Sequence, residues 1–339
     1  MGAALIESCR WQNFGPLADL SWDDLGPINL VIGANGCGKT IVLKSLYVAM
    51  RTLELHGRGQ EQSTAAQILA EKLYWTFQSE RIGDLVSKGS QEPLSFEAQI
   101  DGEPFSYSFG RDTKRQIQAP EITDKPRESN SIFLPAKEVL SLHHLILQSR
   151  ERDQLFGFDD TYYDLAIALR HGTKPGKNYS EFAKARDQLE RLLDGKVIYE
   201  EDSGKWFYKK GNQRFAVGLA AEGIKKIGIL DTLLGNRSLG IDSVVFIDEP
   251  ESVLHPNAIS AFLEIIASLA QRGIQFFMSS HSCFVVKNLH LIAKRHSLSI
   301  PVLSGSAEGW SLENMIEGMP ENPVIDEVGA LYRKEVEIL

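Results

Sequence analysis

Cysteine is scarce in this chain, and its three residues, Cys9, Cys37 and Cys283, are too widely spaced for a zinc pattern or a disulfide framework. That usage fits a reducing cytoplasm. Long apolar runs are also missing. None approaches the roughly 18 residues that span a bilayer, so no membrane association is expected. The start, Met1-Gly2-Ala3-Ala4-Leu5-Ile6-Glu7, lacks a basic stretch before an apolar core and does not read as a secretory signal. No internal repeat or low-complexity tract is present. Nor is there an excess of positive charge: a net charge of -9 argues against a molecule built as a whole to bind nucleic acid. Three basic groups, Arg111/Lys114/Arg115, Lys174/Lys177 and Lys205/Lys209/Lys210/Arg214, read as solvated faces, so any nucleic-acid contact is indirect.

What is present centres on Gly33-Ala34-Asn35-Gly36-Cys37-Gly38-Lys39-Thr40. It follows the apolar run Ile28–Ile32 and precedes Ile41-Val42-Leu43, giving strand, glycine-rich loop and helix, the context of a phosphate-binding loop. Glycines free main-chain N–H groups to wrap phosphates, and a helix N-terminus adds partial positive charge. Lys39 can reach β- and γ-phosphates, and the Thr40 hydroxyl can ligate Mg²⁺.

A second run, Val244-Val245-Phe246-Ile247, ends in Asp248-Glu249-Pro250. A continuous apolar run reads as a strand buried on both faces of a parallel sheet, and ligands bind at the carboxyl ends of such strands. Asp248 would hold Mg²⁺ and Glu249 would polarise a water. A third run, Phe276-Phe277-Met278-Ser279-Ser280, places His281 just past a strand end, within reach of a γ-phosphate.

Between these runs, helical spacing covers 60–88 through Ala65, Ile68, Leu69, Leu73 and Trp75. Alternation predicts a hairpin over 94–100 and 105–109, turning at Asp101-Gly102. Residues 111–130 read as a loop and 131–134 as a short strand. Residues 136–193 read as helical with a break at Gly172–Gly176. A meander is expected at 196–200, 205–209 and 213–217, then strand, helix and strand at 244–247, 258–269 and 275–278. A polar tail and a last helix follow, the latter with Ile325, Val328, Tyr332, Val336 and Leu339 on one stripe.

These motifs, with Asn13-Phe14 near the start and the sequence Glu251-Ser252-Val253-Leu254-His255-Pro256 after Pro250, resemble the ABC ATPases of the SMC and OLD type. The resemblance covers about the first 55 residues and residues 215–310. It implies an α/β P-loop NTPase of ABC/SMC-head type, with a mixed β-sheet core, an antiparallel β lobe and a helical insertion. The parts would be an N-terminal lobe at 1–135, an insertion at 136–195, a C-terminal lobe at 196–310 and a tail helix at 311–339. ATP and Mg²⁺ are the implied cofactors. Asn13, Asn35, Gly36, Cys37, Gly38, Lys39, Thr40 and Ile41 would contact nucleotide, Thr40 and Asp248 the metal. Glu249 would be the general base and His281 the switch histidine. Two heads would pair with ATP sandwiched between them. Gly223 would then reach the partner's nucleotide from the candidate signature Gly218–Lys226, where Ala221 replaces the usual serine. Gln118 and Gln148 are candidates for the glutamine loop. Heptads are not sustained over 136–193, so a compact lid or docking platform is expected there, not a long coiled arm. No Toprim-type nuclease module is recognised. The expected function is a slow cytoplasmic ATPase subunit regulating a separate effector, for example a Toprim-type nuclease, in DNA repair or anti-phage defence. The alternatives are a transporter ATPase and a scaffold that binds ATP without turnover.

Overall fold

The computed structural model describes residues 5–58, 63–123, 125–170, 182–306, 309–321 and 323–338. The chain opens with the antiparallel pair β1 (Ile6–Phe14) and β2 (Leu17–Trp22), then β3 (Ile28–Gly33), α1 (Lys39–Leu55) and α2 (Ala65–Phe77). The hairpin β4 (Leu94–Ile100) and β5 (Glu103–Phe109) joins β1, giving the sheet order β2-β1-β4-β5. After β6 (Ser131–Leu134) come α3 (His143–Glu151), α4 (Asp160–Leu169) and α5 (Ala183–Leu193). The meander β7 (Lys196–Glu200), β8 (Lys205–Lys210) and β9 (Gln213–Ala216) forms its own sheet and leads into α6 (Glu222–Gly235). The remainder is β10 (Val244–Asp248), α7 (Pro256–Ala270), β11 (Gln275–Ser280), α8 (Cys283–His296), β12 (Pro301–Ser306), β13 (Gly309–Asn314) and α9 (Pro323–Ile338).

A six-stranded sheet, ordered β13-β12-β3-β11-β10-β6, runs through the middle and is parallel except for β13. Its central strands β3, β11, β10 and β6 are buried along almost their whole length because both faces are covered. Leu30, Ile32, Val245, Ile247, Phe276 and Met278 enter one core, with α4 to α8. Val31, Val244, Phe246 and Phe277 enter the other, with α1, α2 and the antiparallel sheet. That split is the period of two expected of strand side chains. Two buried amides brace the start of β3 and its neighbours. Asn29 receives the Gly26 N–H (2.8 Å) and donates back to the Gly26 carbonyl (2.7 Å). Gln275 exchanges two hydrogen bonds with the main chain of Ile6 (2.8 and 2.9 Å), pinning β1 to β11.

The helices of the insertion lie on the body of the molecule. Ile146, Leu147, Leu165, Ala166, Leu169, Leu189 and Leu193 are buried in the same core as Ile247 and Met278. The break near Gly172–Gly176, with Lys174 and Lys177, lies outside the described residues. The expected polar tail is corrected: residues 283–314 form α8 and the hairpin β12–β13. In β12 only Val302 and Leu303 are large and apolar, which hides the strand. Its small residues let it lie on β3, with Leu303 opposite Val31 and Gly305 opposite Gly33. A side chain at Gly33 would meet the Gly305 carbonyl at 2.6 Å. β13 crosses the 310/311 boundary drawn from sequence. The helical stretch over 60–88 is shorter than its spacing predicts, ending at Phe77 before a 3₁₀ turn at Ile82–Leu85. On α9, Ile325 reaches the core, while Val328, Tyr332 and Val336 are exposed; Leu339 lies outside the described residues.

A buried ion network ties α1 to α2 and to the insertion. Lys72 meets Asp160 (2.9 Å) and Asp164 (2.8 Å), Arg51 meets Glu54 (2.6 Å) and Asp164 (3.3 Å), and Arg150 meets Asp160 (3.1 Å). The Tyr47 hydroxyl donates to Asp164 at 2.7 Å. Burial alone would raise the Asp164 pKa; Lys72 and Arg51 outweigh it and hold the carboxyl at about 2.

Candidate active site

The site stands at the carboxyl ends of three adjacent strands, β3, β11 and β10. The loop after β3 needs its glycines: Gly36 (φ 81°) and Gly38 (φ 113°) are left-handed, and Gly38 caps α1 without a side chain. This leaves the first N–H groups of α1 directed out of its N-terminus, where anions are favoured. Lys39 folds back, its ammonium donating to the carbonyls of Gly33 (2.8 Å) and Ala34 (2.9 Å). Asn35 and Gly36 are exposed, Cys37 is a free, half-buried thiol, and Ile41 packs on the core shared with α2. The Asn13 amide donates to the Pro93 carbonyl (3.1 Å), and Asn13 itself sits at φ 52°.

Thr40 and Asp248, 208 residues apart, meet here: the Thr40 hydroxyl donates to Asp248 Oδ2 at 3.3 Å. Ser279, at the end of β11, donates to the other oxygen, Oδ1. These hard oxygens fit Mg²⁺, which binds few protein oxygens and completes its shell with phosphate and water. Glu249 is left-handed (φ 51°), and its N–H donates to the Ser279 carbonyl at 3.0 Å. Its carboxylate lies 3.2 Å from His281 Nδ1, so the carboxylate and imidazole that the sequence pairs across 32 positions form one dyad. Glu251 turns inward beneath them. Its Oε1 accepts from the Ser280 hydroxyl (2.8 Å) and the His281 N–H (3.2 Å), and lies 3.7 Å from His281 Nδ1.

The candidate signature begins α6. Ala221 is its N-cap and offers no side-chain cap. Gly223 is buried, and a side chain there would meet Leu254 Cδ2 at 2.8 Å and the Val253 carbonyl at 3.0 Å. The glycine therefore lets α6 lie on the turn that follows Asp248. Of the glutamine-loop candidates, Gln148 is on α3 and Gln118 in the connection after β5. The strand beside β10 is β6, with Leu134 opposite Ile247, and it runs out into Pro135-Ala136-Lys137.

Four contributors escape a reading of the sequence. Ser279 and Glu251 lie inside runs recognised in the sequence, but nothing there assigns either a role. Lys226, on α6, is buried, and its ammonium bonds to the turn after β10; burial lowers its pKa to about 8 against the pull of Glu251, Asp248 and Glu249. Trp310, from β13, walls the phosphate loop. A side chain at Gly305 would meet its ring at 2.9 Å and Cys37 Sγ at 3.1 Å, and one at Gly38 would lie 3.7 Å from the same indole.

Comparison with known proteins finds similarity at the level of family and fold. Residues 28–287 match the model of the family described as "AAA domain, putative AbiEii toxin, Type IV TA system". A segment of 49 residues is 39% identical to the Old nuclease of Escherichia phage P2, covering 14% of this chain and 8% of that protein. Among solved structures, the SMC head domain from Thermotoga maritima aligns with a TM-score of 0.46 at 11% identity, over 92% of this chain and 99% of that one. The Smc head of Pyrococcus furiosus, solved with an extended coiled coil and the C-terminal domain of ScpA, gives 0.48 at 11%, over 91% and 96%. With the family model spanning residues 28–287, both the phosphate loop and His281 included, the chain belongs to this AAA-domain family.

Proposed function

We propose that this chain binds Mg·ATP and hydrolyses it slowly, and that it regulates a separately encoded effector, such as a Toprim-type nuclease, in DNA repair or anti-phage defence. The observation that carries the ATPase part is the convergence of Thr40, Asp248 and Ser279 beside the Glu249–His281 dyad. The loop N–H groups and Lys39 bind the triphosphate. Thr40 and Asp248 would hold Mg²⁺, which would supply charge neutralisation to the triphosphate. Glu249 accepts the proton of the attacking water, and His281 orients that carboxylate and reaches toward the γ-phosphate. A second copy would complete the site, with Gly223 and the α6 N-terminus facing its nucleotide. Ala221 brings no hydroxyl to that contact, and turnover is slow for that reason.

The effector part is supported by the short likeness to a phage nuclease and by the family description, which names a toxin–antitoxin setting. The insertion helices and α9 are the surfaces for holding it. Three free cysteines fit a cytoplasmic protein. Among the described residues no helix is long and apolar enough to cross a membrane.

Glu249→Gln should retain ATP binding and lower hydrolysis about 10²–10⁴-fold, the range for losing a general base. Wild-type turnover in the variant would remove Glu249 from that role. The purified chain should cut neither DNA nor RNA with Mg²⁺ or Mn²⁺. Cleavage that survives Lys39→Ala and Glu249→Gln would place a nuclease within the chain and overturn the separate effector.

A further inference from the structure

One buried lysine has no part in the chemistry above. Lys226 lies about one turn into α6 and is 7% exposed. Its ammonium donates to the carbonyl of Glu249, to the carbonyl of Asp248 (3.4 Å) and to the Ser252 hydroxyl (3.1 Å). Ser252 in turn donates to the Ala136 carbonyl (3.0 Å), just beyond β6. Among the described residues no carboxylate forms an ion pair with Lys226. An ammonium is costly to bury unless its N–H groups are satisfied, and here three acceptors from one turn satisfy three N–H groups.

We propose that Lys226 is a positioning residue: it holds Glu249 by its main chain and couples the aim of that carboxylate to α6. The inference rests on the ATPase reading and deepens it. Glu249 has a left-handed φ of 51°, a conformation that non-glycine residues keep only where surroundings over-determine it. Both peptide groups flanking Glu249 are fixed. Its N–H is held by the Ser279 carbonyl at 3.0 Å, and its own carbonyl by Lys226. With both fixed, the Cα–Cβ bond has one direction, the one that brings the carboxylate 3.2 Å from His281 Nδ1. Gly223, about one turn earlier on α6, abuts Val253 and Leu254 of the same turn. Helix and turn therefore shift as one piece, and a displacement of α6 re-aims Glu249 without touching the phosphate loop.

The test compares wild type with Lys226→Met, which keeps the length of the aliphatic stem and removes the ammonium, and with Lys226→Arg, which keeps a cation. Three quantities are measured: amide hydrogen exchange at Glu249, Glu251, Ser252 and Leu254 without nucleotide, ATP affinity, and kcat. In Lys226→Met those amides should exchange at least tenfold faster while β10 amides stay protected. The kcat should fall at least tenfold with Kd for ATP within threefold, and Lys226→Arg should recover part of it. Exchange within twofold of wild type overturns the proposal, as does a Kd that worsens in step with kcat. If wild type hydrolyses no ATP, the ATPase reading fails and the exchange comparison alone decides. If Lys226→Met does not fold, Ser252→Ala takes its place: threefold faster exchange and threefold lower kcat support the proposal, and no change in either overturns it.

Discussion

Two charged clusters border α1 and are built on opposite plans. Deep along the helix, Arg51, Glu54, Lys72, Arg150, Asp160 and Asp164 neutralise one another, and Asp164 alone receives Lys72, Arg51 and the Tyr47 hydroxyl. At the first turn the pairing is incomplete. Lys39 donates to two carbonyls, and Asp248 accepts from two hydroxyls; among the described residues neither has an ion-pair partner. Glu249 and His281 face each other at a half-exposed surface. A buried cluster whose charges cancel internally serves the fold, because leaving any one of them alone in low dielectric is costly. A cluster whose cation and carboxylate border the first turn of α1 without pairing is arranged to receive charge from outside, and a phosphate with its metal would supply both signs.

The contrast is most exposed to test at Asp164. Asp164→Asn should cost about 3–5 kcal/mol of stability at neutral pH, by leaving Lys72 and Arg51 short of a buried countercharge. The folded pKa of about 2 lies below the ordinary 3.8, so the carboxylate's contribution is full above pH 3.8. It fades as pH falls through 2, so the gap between variant and wild type should narrow by about 2 kcal/mol. Urea unfolding at several pH values measures this, and a gap independent of pH would mean the charge is not what stabilises. Lys39→Ala should do the reverse. ATP affinity should fall about 100-fold, near 2.7 kcal/mol, by calorimetry, with stability within about 1 kcal/mol of wild type because no ion pair is lost. A variant that binds ATP normally would remove the phosphate-loop reading. His281→Ala should slow turnover about tenfold to a hundredfold, the worth of one hydrogen bond to a charged group, with Kd changed less than threefold. A drop in affinity matching the drop in rate would make His281 a binding group only. The smallest effect is expected for Ala221→Ser. A serine N-cap should stabilise α6 by about 1 kcal/mol. Faster turnover in the same variant would place this residue opposite a partner's nucleotide, whereas added stability with unchanged turnover would leave it a helix cap.

Much of this site is legible in the sequence because its strands are buried on both faces. Ile28–Ile32 and Val244–Ile247 can only be central parallel strands, and the residues at their ends follow. The hairpin at 94–109 is equally plain, since its one-sided burial writes alternation directly. Legibility fails where packing relies on small or polar groups. Ser304, Gly305 and Ser306 make β12 look like a tail, although close approach to Gly33 is what that position requires. Lys226 looks like a surface residue because nothing local says that three acceptors converge on it. The insertion reads as helical, yet its docking depends on Leu165, Leu169 and Leu189 finding a core that includes Ile247 and Met278, more than fifty residues further along the chain.

The wall that β13 builds beside the phosphate loop has an optical consequence. Trp310 is only partly covered and rests on Gly305 next to Cys37 and Gly38, whereas Trp11 and Trp22 are sealed in the core. Of the five tryptophans, Trp206 is buried on β8 and Trp75 lies on α2 beside Phe156, so the emission of Trp310 is the one most sensitive to the loop's conformation. Nucleotide titrations can be followed by the fluorescence of the native chain, with Trp310→Phe as the blank.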